Sequence, residues 1–204
     1  EVGTIQLPEL MLAVDHATRF SWRLLGRAPT TERELLLVYA ALLAHGTELN
    51  AASVALMIPG LAPEAITEAM RLLEEEGPMR EANELVVQFL HRHEIVKTWG
   101  EGTLASADAM SLDASRHLWN ARVDPRRRTY AMGIYAHVLD QWGIIYDQPL
   151  VIHQRQVGAA IEGMVRQNVA GQVERLAVDT HGYTDLGMAI SKLLGFDLCP
   201  RLSH

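Results

Sequence analysis

Apolar residues recur at helical spacing through the first half of the chain and at strand spacing through the second. Leu35, Leu36, Val38, Tyr39, Leu42 and Leu43 cover a broad face of an amphipathic helix. Thr31 stands where its N-cap belongs, with Glu34 three residues on as the reciprocal partner, and Gly46 suits the far end. A short helix is predicted from Asn50 to Met57, stopped before Pro59-Gly60. Another opens at Pro63 and runs to Gly77, with Ile66, Met70, Leu72 and Leu73 on one face and Glu74, Glu75 and Glu76 in solvent. A fourth is predicted from Met79 to Lys97. Residues Leu7 to Phe20 begin apolar and end polar, and their type stays open. Residues 1–97 therefore read as a mainly helical region.

Gly100 and Gly102 end that pattern. Thr103–Ser111 reads as a strand, as do Tyr130–Leu139 and the β-branched run Ile144–Ile152. Asp124-Pro125 and the arginines beside them mark a loop. Gln141-Trp142-Gly143 is a tight connection that makes the second and third strands a hairpin. A helix is next, over Val157–Val169, then a short buried strand, Leu176-Ala177-Val178, ending at Asp179. Leu186–Leu194 is a helix closed by Gly195, and Phe196–Cys199 a last strand. Three antiparallel strands followed by alternating helix and strand is the order of the RNase H-like fold. The fold expected is α/β: an all-helical region, then at 98–204 the N-terminal part of a mixed RNase H-like sheet, truncated at its C-terminal end.

Composition narrows this little. The chain has 204 residues, 49% hydrophobic and 21% charged, an ordinary soluble balance with nothing that reads as disorder. No apolar run is long enough to span a bilayer, and no signal peptide opens the chain. One cysteine, Cys199, excludes an internal disulfide and fits a reducing cytoplasm. A first residue of Glu1 reads as the start of an excised fragment. The net charge of −7 argues against tight autonomous DNA binding but not against a nuclease core, whose carboxylates add negative charge where a cation sits.

In the RNase H-like fold the first and fourth strands lie side by side at the sheet centre. An acid in the first and one at the end of the fourth then come together, and Asp108 and Asp179 take those positions. Two carboxylates so close repel unless a cation lies between them. Hard oxygen ligands suit Mg²⁺ or Mn²⁺. Two such ions, roughly 4 Å apart, can activate an attacking oxygen and stabilise a leaving oxygen at phosphate. From spacing alone, the alternative of two solvated or capping aspartates stays open.

Longer matches point the same way. Leu7-Pro8-Glu9-Leu10-Met11-Leu12-Ala13-Val14-Asp15 with Thr18-Arg19-Phe20 resembles the segment before the catalytic domain of the Tn-three family of replicative transposases. Trp99-Gly100-Glu101-Gly102-Thr103 leading to Ser106-Ala107-Asp108 resembles that family's strand with the first catalytic aspartate. Tyr135-Ala136-His137-Val138-Leu139-Asp140-Gln141 is similar to its second-strand motif, and Asp179-Thr180-His181-Gly182-Tyr183-Thr184-Asp185 to the segment of the second catalytic aspartate. Leu193-Leu194-Gly195-Phe196 and Cys199-Pro200-Arg201 resemble the family's next stretch. Ala107, Ala109, His181 and Tyr183 depart from the family's usual residues without touching the two acids.

The resemblance implies a DDE-type polynucleotidyl transferase in the intact protein, replicative DNA transposition, and Mg²⁺ or Mn²⁺ as cofactor. Its partners would be the transposon's terminal inverted repeats and target DNA, in a homo-oligomer, in the bacterial cytoplasm and on the nucleoid when bound. The family's third acid, a glutamate, lies beyond His204, so the fragment holds an incomplete site and is expected to be inactive, with or without metal.

Other residues carry two readings. His181 could support the site or be an exposed loop histidine. Asp185 opens a helix, where capping competes with catalysis. Arg126, Arg127 and Arg128 either grip DNA phosphates or form a solvated loop. Asp140 reads as turn chemistry. His91 and His93 sit two apart on a predicted helix and point apart, against a zinc site. His137 and His153 read as packed or surface histidines, and Trp99, Trp119 and Trp142 as packing residues. Two other functions compete: a non-catalytic DNA-binding or assembly module, and a metallophosphoesterase, whose first metal motif Asp179-Thr180-His181-Gly182 imitates.

Overall fold

Residues 3–169, 171 and 173–201 are described by a computed structural model; Glu1, on which the fragment expectation rests, lies outside them. Contacts divide the chain into two units, Glu1–Phe89 and Leu90–His204.

The first unit is helical. Leu7–Thr18 forms α1, with Pro8 in its first turn and a reciprocal Gln6–Glu9 cap. Phe20–Leu25 is α2. Buried Asp15 joins them: its carboxylate accepts from the Ser21 N–H (2.8 Å), the Ser21 hydroxyl (2.7 Å) and the Tyr39 hydroxyl (2.6 Å). Tyr39 belongs to α3, Glu32–Gly46, capped by Thr31 through the Glu34 N–H (3.2 Å). The expected reciprocal bond from Glu34 does not form. Its carboxylate goes to Arg27 and Thr30, and the Arg27 guanidinium helps hold its pKa down to about 2. At the other end Thr47, not Gly46, takes the C-cap, its hydroxyl bonded to the Leu43 carbonyl.

Ala51–Met57 is α4 and Pro63–Met70 is α5, which tightens into a 3₁₀ turn over Arg71–Glu74. Next comes α6, Glu76–Leu90. The break falls ahead of the predicted Gly77 because the acidic run disfavours a helix C-terminus and suits an N-terminus, where Pro78 is also tolerated. Two clusters form the interior, one around Ala40, Leu43, Val54 and Ile66, the other around Phe20, Leu24, Val38 and Ala82.

Contacts group the chain from Leu90 onward with the second unit. Helix α6 stops at Leu90 rather than reaching Lys97, and Glu94–Thr98 is a 3₁₀ turn. His91 lies in the turn between them, not on a helix, and its Nε2 meets the Trp142 carbonyl (2.9 Å). Among the described residues six strands form one sheet: β1 (Leu104–Asp113), β2 (Arg122–Val123), β3 (Tyr130–Leu139), β4 (Ile144–Leu150), β5 (Arg175–Val178) and β6 (Asp197–Pro200). The long strands lie in the order β4-β3-β1-β5-β6. The β4–β3 and β3–β1 pairs are antiparallel; β1–β5 and β5–β6 are parallel. This is the RNase H-like arrangement, a mixed sheet with the first strand at its centre. Two-residue β2, unforeseen, lies in the arginine loop and pairs with β3.

Helix α7 (Val157–Arg166, three residues shorter than predicted) and helix α8 (Asp185–Leu193) supply the parallel crossovers. The core gathers Ala105 and Ala107 of β1, Tyr135 and Leu139 of β3, Leu176 and Val178 of β5, and Ala159, Ala160 and Met164 of α7.

Candidate active site

Strand pairing decides where the two acids go. Ala107 of β1 pairs in register with Val178 of β5, and both side chains are buried in the core. Asp108 is the next residue of β1, and Asp179 follows directly on the last residue of β5. β5 ends at Val178 while β1 continues to Asp113, leaving a notch in the sheet just past the last pair. Both aspartates line one cleft of about 590 Å³ there, together with Arg126, Gln156 and His181.

Local bonds set each carboxylate. Asp108 Oδ1 accepts from the Ala109 N–H at 2.7 Å. Asp179 opens a turn in which its Oδ1 accepts from the His181 N–H (2.9 Å) and its Oδ2 meets His181 Nδ1 (3.2 Å). Gly182 closes the turn against β5: a Cβ there would stand 2.6 Å from the Val178 Cβ, so any larger residue would displace the segment that carries Asp179.

Sequence reading missed Tyr135 and Gln156. Tyr135 lies opposite Ala109 on β3, fully buried, and its hydroxyl finds no protein partner among the described residues. Burial, then Asp179 and Asp108, push the phenol's pKa up, so it stays protonated beside both acids. Gln156 Oε1 is likewise unpartnered among the described residues. Nothing in the local pattern marks either residue, because a tyrosine in a strand and a glutamine before a helix are ordinary.

The other expected residues separate. His181 is at the cleft, in contact with Asp179. Asp185 is the exposed first residue of α8, away from the cleft lining, and the cap is Thr184, whose hydroxyl accepts from the Gly187 N–H. Arg126 lines the cleft. Arg127 is held internally by Asp113, Asp124 and Ser111. Arg128 takes a left-handed backbone, φ 58°. Asp140 does turn chemistry at a distance: its carboxylate accepts from the Glu101 and Gly102 N–H groups (3.2 and 3.0 Å), tying the β3–β4 turn to the start of β1. His137 is packed, its Nε2 on the Ala160 carbonyl (2.9 Å). His153, in contrast, is exposed and lines the cleft. Trp119 does not pack; it is 81% exposed.

Two carboxylates and the unpartnered Gln156 Oε1 at one cleft fit a divalent ion with its own water ligands. Among the described residues no three His, Cys, Asp or Glu side chains gather closely enough to enclose an ion. The donor set on this chain is therefore a pair of hard oxygen ligands rather than a closed cage.

Comparison with known proteins identifies the family. The family model described as the Tn3 transposase DDE domain matches residues 9–204. The transposase for insertion sequence element IS1071 in transposon Tn5271 of Comamonas testosteroni is 52% identical over all of this chain and 21% of its own length. The transposase for transposon Tn1546 of Enterococcus faecium is 28% identical over 97% of this chain and 20% of its own. The chain thus spans about a fifth of these relatives. A piggyBac transposase synaptic complex with hairpin DNA shares 12% identity at a TM-score of 0.44, over 81% of this chain and 39% of that one. At that level the fold rests on this chain's own strand order. The extent of the family match leaves no room for the metallophosphoesterase alternative, and the chain belongs to the Tn3 transposase DDE domain family.

Proposed function

We propose that this chain supplies two metal-holding carboxylates, Asp108 and Asp179, to the phosphoryl-transfer centre of a DNA transposase. The observation that carries the reading is that adjacent parallel strands bring both acids to the lining of one cleft. Mg²⁺ or Mn²⁺ bound there would supply Lewis-acid activation of the attacking oxygen and stabilisation of the leaving one. The chain's own residues hold and orient. The Ala109 N–H fixes the rotamer of Asp108, and His181 does the same for Asp179. Arg126 offers a guanidinium to a phosphate at the cleft, a geometry arginine suits. Tyr135 keeps a donor beside both acids.

In the whole transposase this centre would nick the 3′ ends of the element with water and then join each 3′ hydroxyl to target DNA. The two steps differ only in the hydroxyl presented. Terminal inverted repeats and target DNA are the proposed substrates, a homo-oligomer the working form, and the bacterial cytoplasm and nucleoid its place.

The test is terminal-repeat nicking by the intact transposase in Mn²⁺. Asp108→Ala and Asp179→Ala are each expected to cut the rate by at least about 10²-fold while folding is retained, as expected when preorganised electrostatic support is removed from a reacting phosphate. Wild-type nicking by either variant would reject the assignment.

A further inference from the structure

The connection between β1 and β3 is the most unusual surface of the second unit. From Ala114 to Thr129 it carries five arginines against one aspartate, in a chain whose net charge is −7. Asp124 is spent internally, on the Arg126 N–H, Arg127 and Ser111. Arg126 and Arg128 have no acidic partner among the described residues. At its crown stands Trp119, 81% exposed, with Leu118 46% exposed beside it. The crown is pinned rather than loose: the Arg122 guanidinium donates to the Trp119 and Ala121 carbonyls, both at 2.8 Å, and buried Ala121 donates to the Leu118 carbonyl.

An exposed indole, on a connection that also carries guanidinium groups without an acidic partner among the described residues, is a poor packing residue and a good stacking platform. Nucleobases present a π-face to an aromatic side chain whatever their identity, while arginines hold the phosphates. The arm is continuous with the cleft. Arg126 lines it, and the arm leaves β1 at Asp113, five residues past Asp108, or about 17 Å along the strand.

We propose that Trp119 is a docking site for an unpaired base, on a DNA strand whose backbone passes Arg126 into the cleft of Asp108 and Asp179. The inference rests on the reading that the chain acts on DNA, but not on the metal chemistry.

Binding of fluorescein-labelled DNA to the 204-residue chain, followed by anisotropy without metal, tests it. Three probes serve: a blunt duplex, the same duplex with a single-stranded tail, and a tail of abasic sites. The tailed duplex is expected to bind tighter than the other two. Trp119→Ala should lose about 10-fold or more on the tailed duplex and nothing on the abasic one, with Trp119→Phe keeping most of the affinity. Arg126→Ala should weaken all three alike and lower the salt slope by about one. Equal affinity of Trp119→Ala and wild type for the tailed duplex overturns the proposal, as does absence of DNA binding. So does a dimer, seen by sedimentation, that Trp119→Ala dissociates with no change in DNA affinity. Any of these leaves the carboxylate assignment standing, since that is read by nicking in the intact transposase.

Discussion

Asp15 and Asp179 both sit at short polar breaks after apolar runs, and their surroundings give them opposite tasks. Asp15 is 3% exposed and accepts three hydrogen bonds, from Ser21 twice and from Tyr39. Its loss strands buried donors, so Asp15→Ala is expected to destabilise the helical unit by about 3 kcal/mol, read from urea midpoints. An unchanged midpoint would show that the network carries no weight. Asp179 keeps a side chain 36% exposed, its carboxylate bonded to His181 of its own turn, and faces the cleft. His137 shows what full burial does to a titrating group. Burial pushes its pKa down from 6.5, with a partial offset from the Ala160 carbonyl. The unfolded chain then binds the extra proton first as pH falls, and stability declines below about pH 6.5, by up to about 1.4 kcal/mol per pH unit. Urea melts should be flat with respect to this group above that pH and fall below it. In His137→Gln this part of the slope should vanish; an unaltered slope would acquit His137.

Among the elements, the hold of α7 on the sheet depends on a missing side chain. A Cβ on Gly163 would lie 2.1 Å from the His137 ring, so helix and sheet meet at backbone distance there. Gly163→Ala is expected to cost about 2 kcal/mol, as overpacked core positions do, and to lower the melting temperature of the second unit. A neutral result would mean that the ring can move aside. The two motifs around Gly100 and Asp140 are also one device: the carboxylate of the β3–β4 turn holds the amides that lead into β1. In sequence they are two separate resemblances, since nothing local says that a turn aspartate reaches back 38 residues.

For the whole molecule, charge is divided by place rather than by total. A net charge of −7 argues against tight autonomous DNA binding, but it is an average over a chain that gathers five arginines in one connection. No helix among the described residues is long and apolar enough to cross a membrane. Among the described residues no third acid gathers with the pair, and two carboxylates alone would leave a metal pair under-held. The isolated chain is therefore expected to leave terminal-repeat DNA uncut in Mg²⁺ or Mn²⁺, while the intact transposase nicks it. Metal-dependent nicking by the isolated chain, lost in Asp108→Ala, would show that two acids suffice.

What the sequence determined by itself is what local rules control. Period and punctuation gave most elements of both units; they left Leu7–Phe20 open, missed α2 and β2, and misplaced helix ends where the acidic run at Glu74–Glu76 and the turn at His91 outweigh apolar spacing. Strand order and the placement of Asp108 and Asp179 came from the same rules plus resemblance. Only the tertiary structure decided which residues meet at the notch beyond β5. Tyr135, Gln156 and Arg126 come to the acids by cross-strand register and loop closure. It also decided that Arg127 is tied down and Trp119 is not. Burial and partnership belong to pairs of residues distant along the chain, and a linear pattern carries no record of them until the sheet is built.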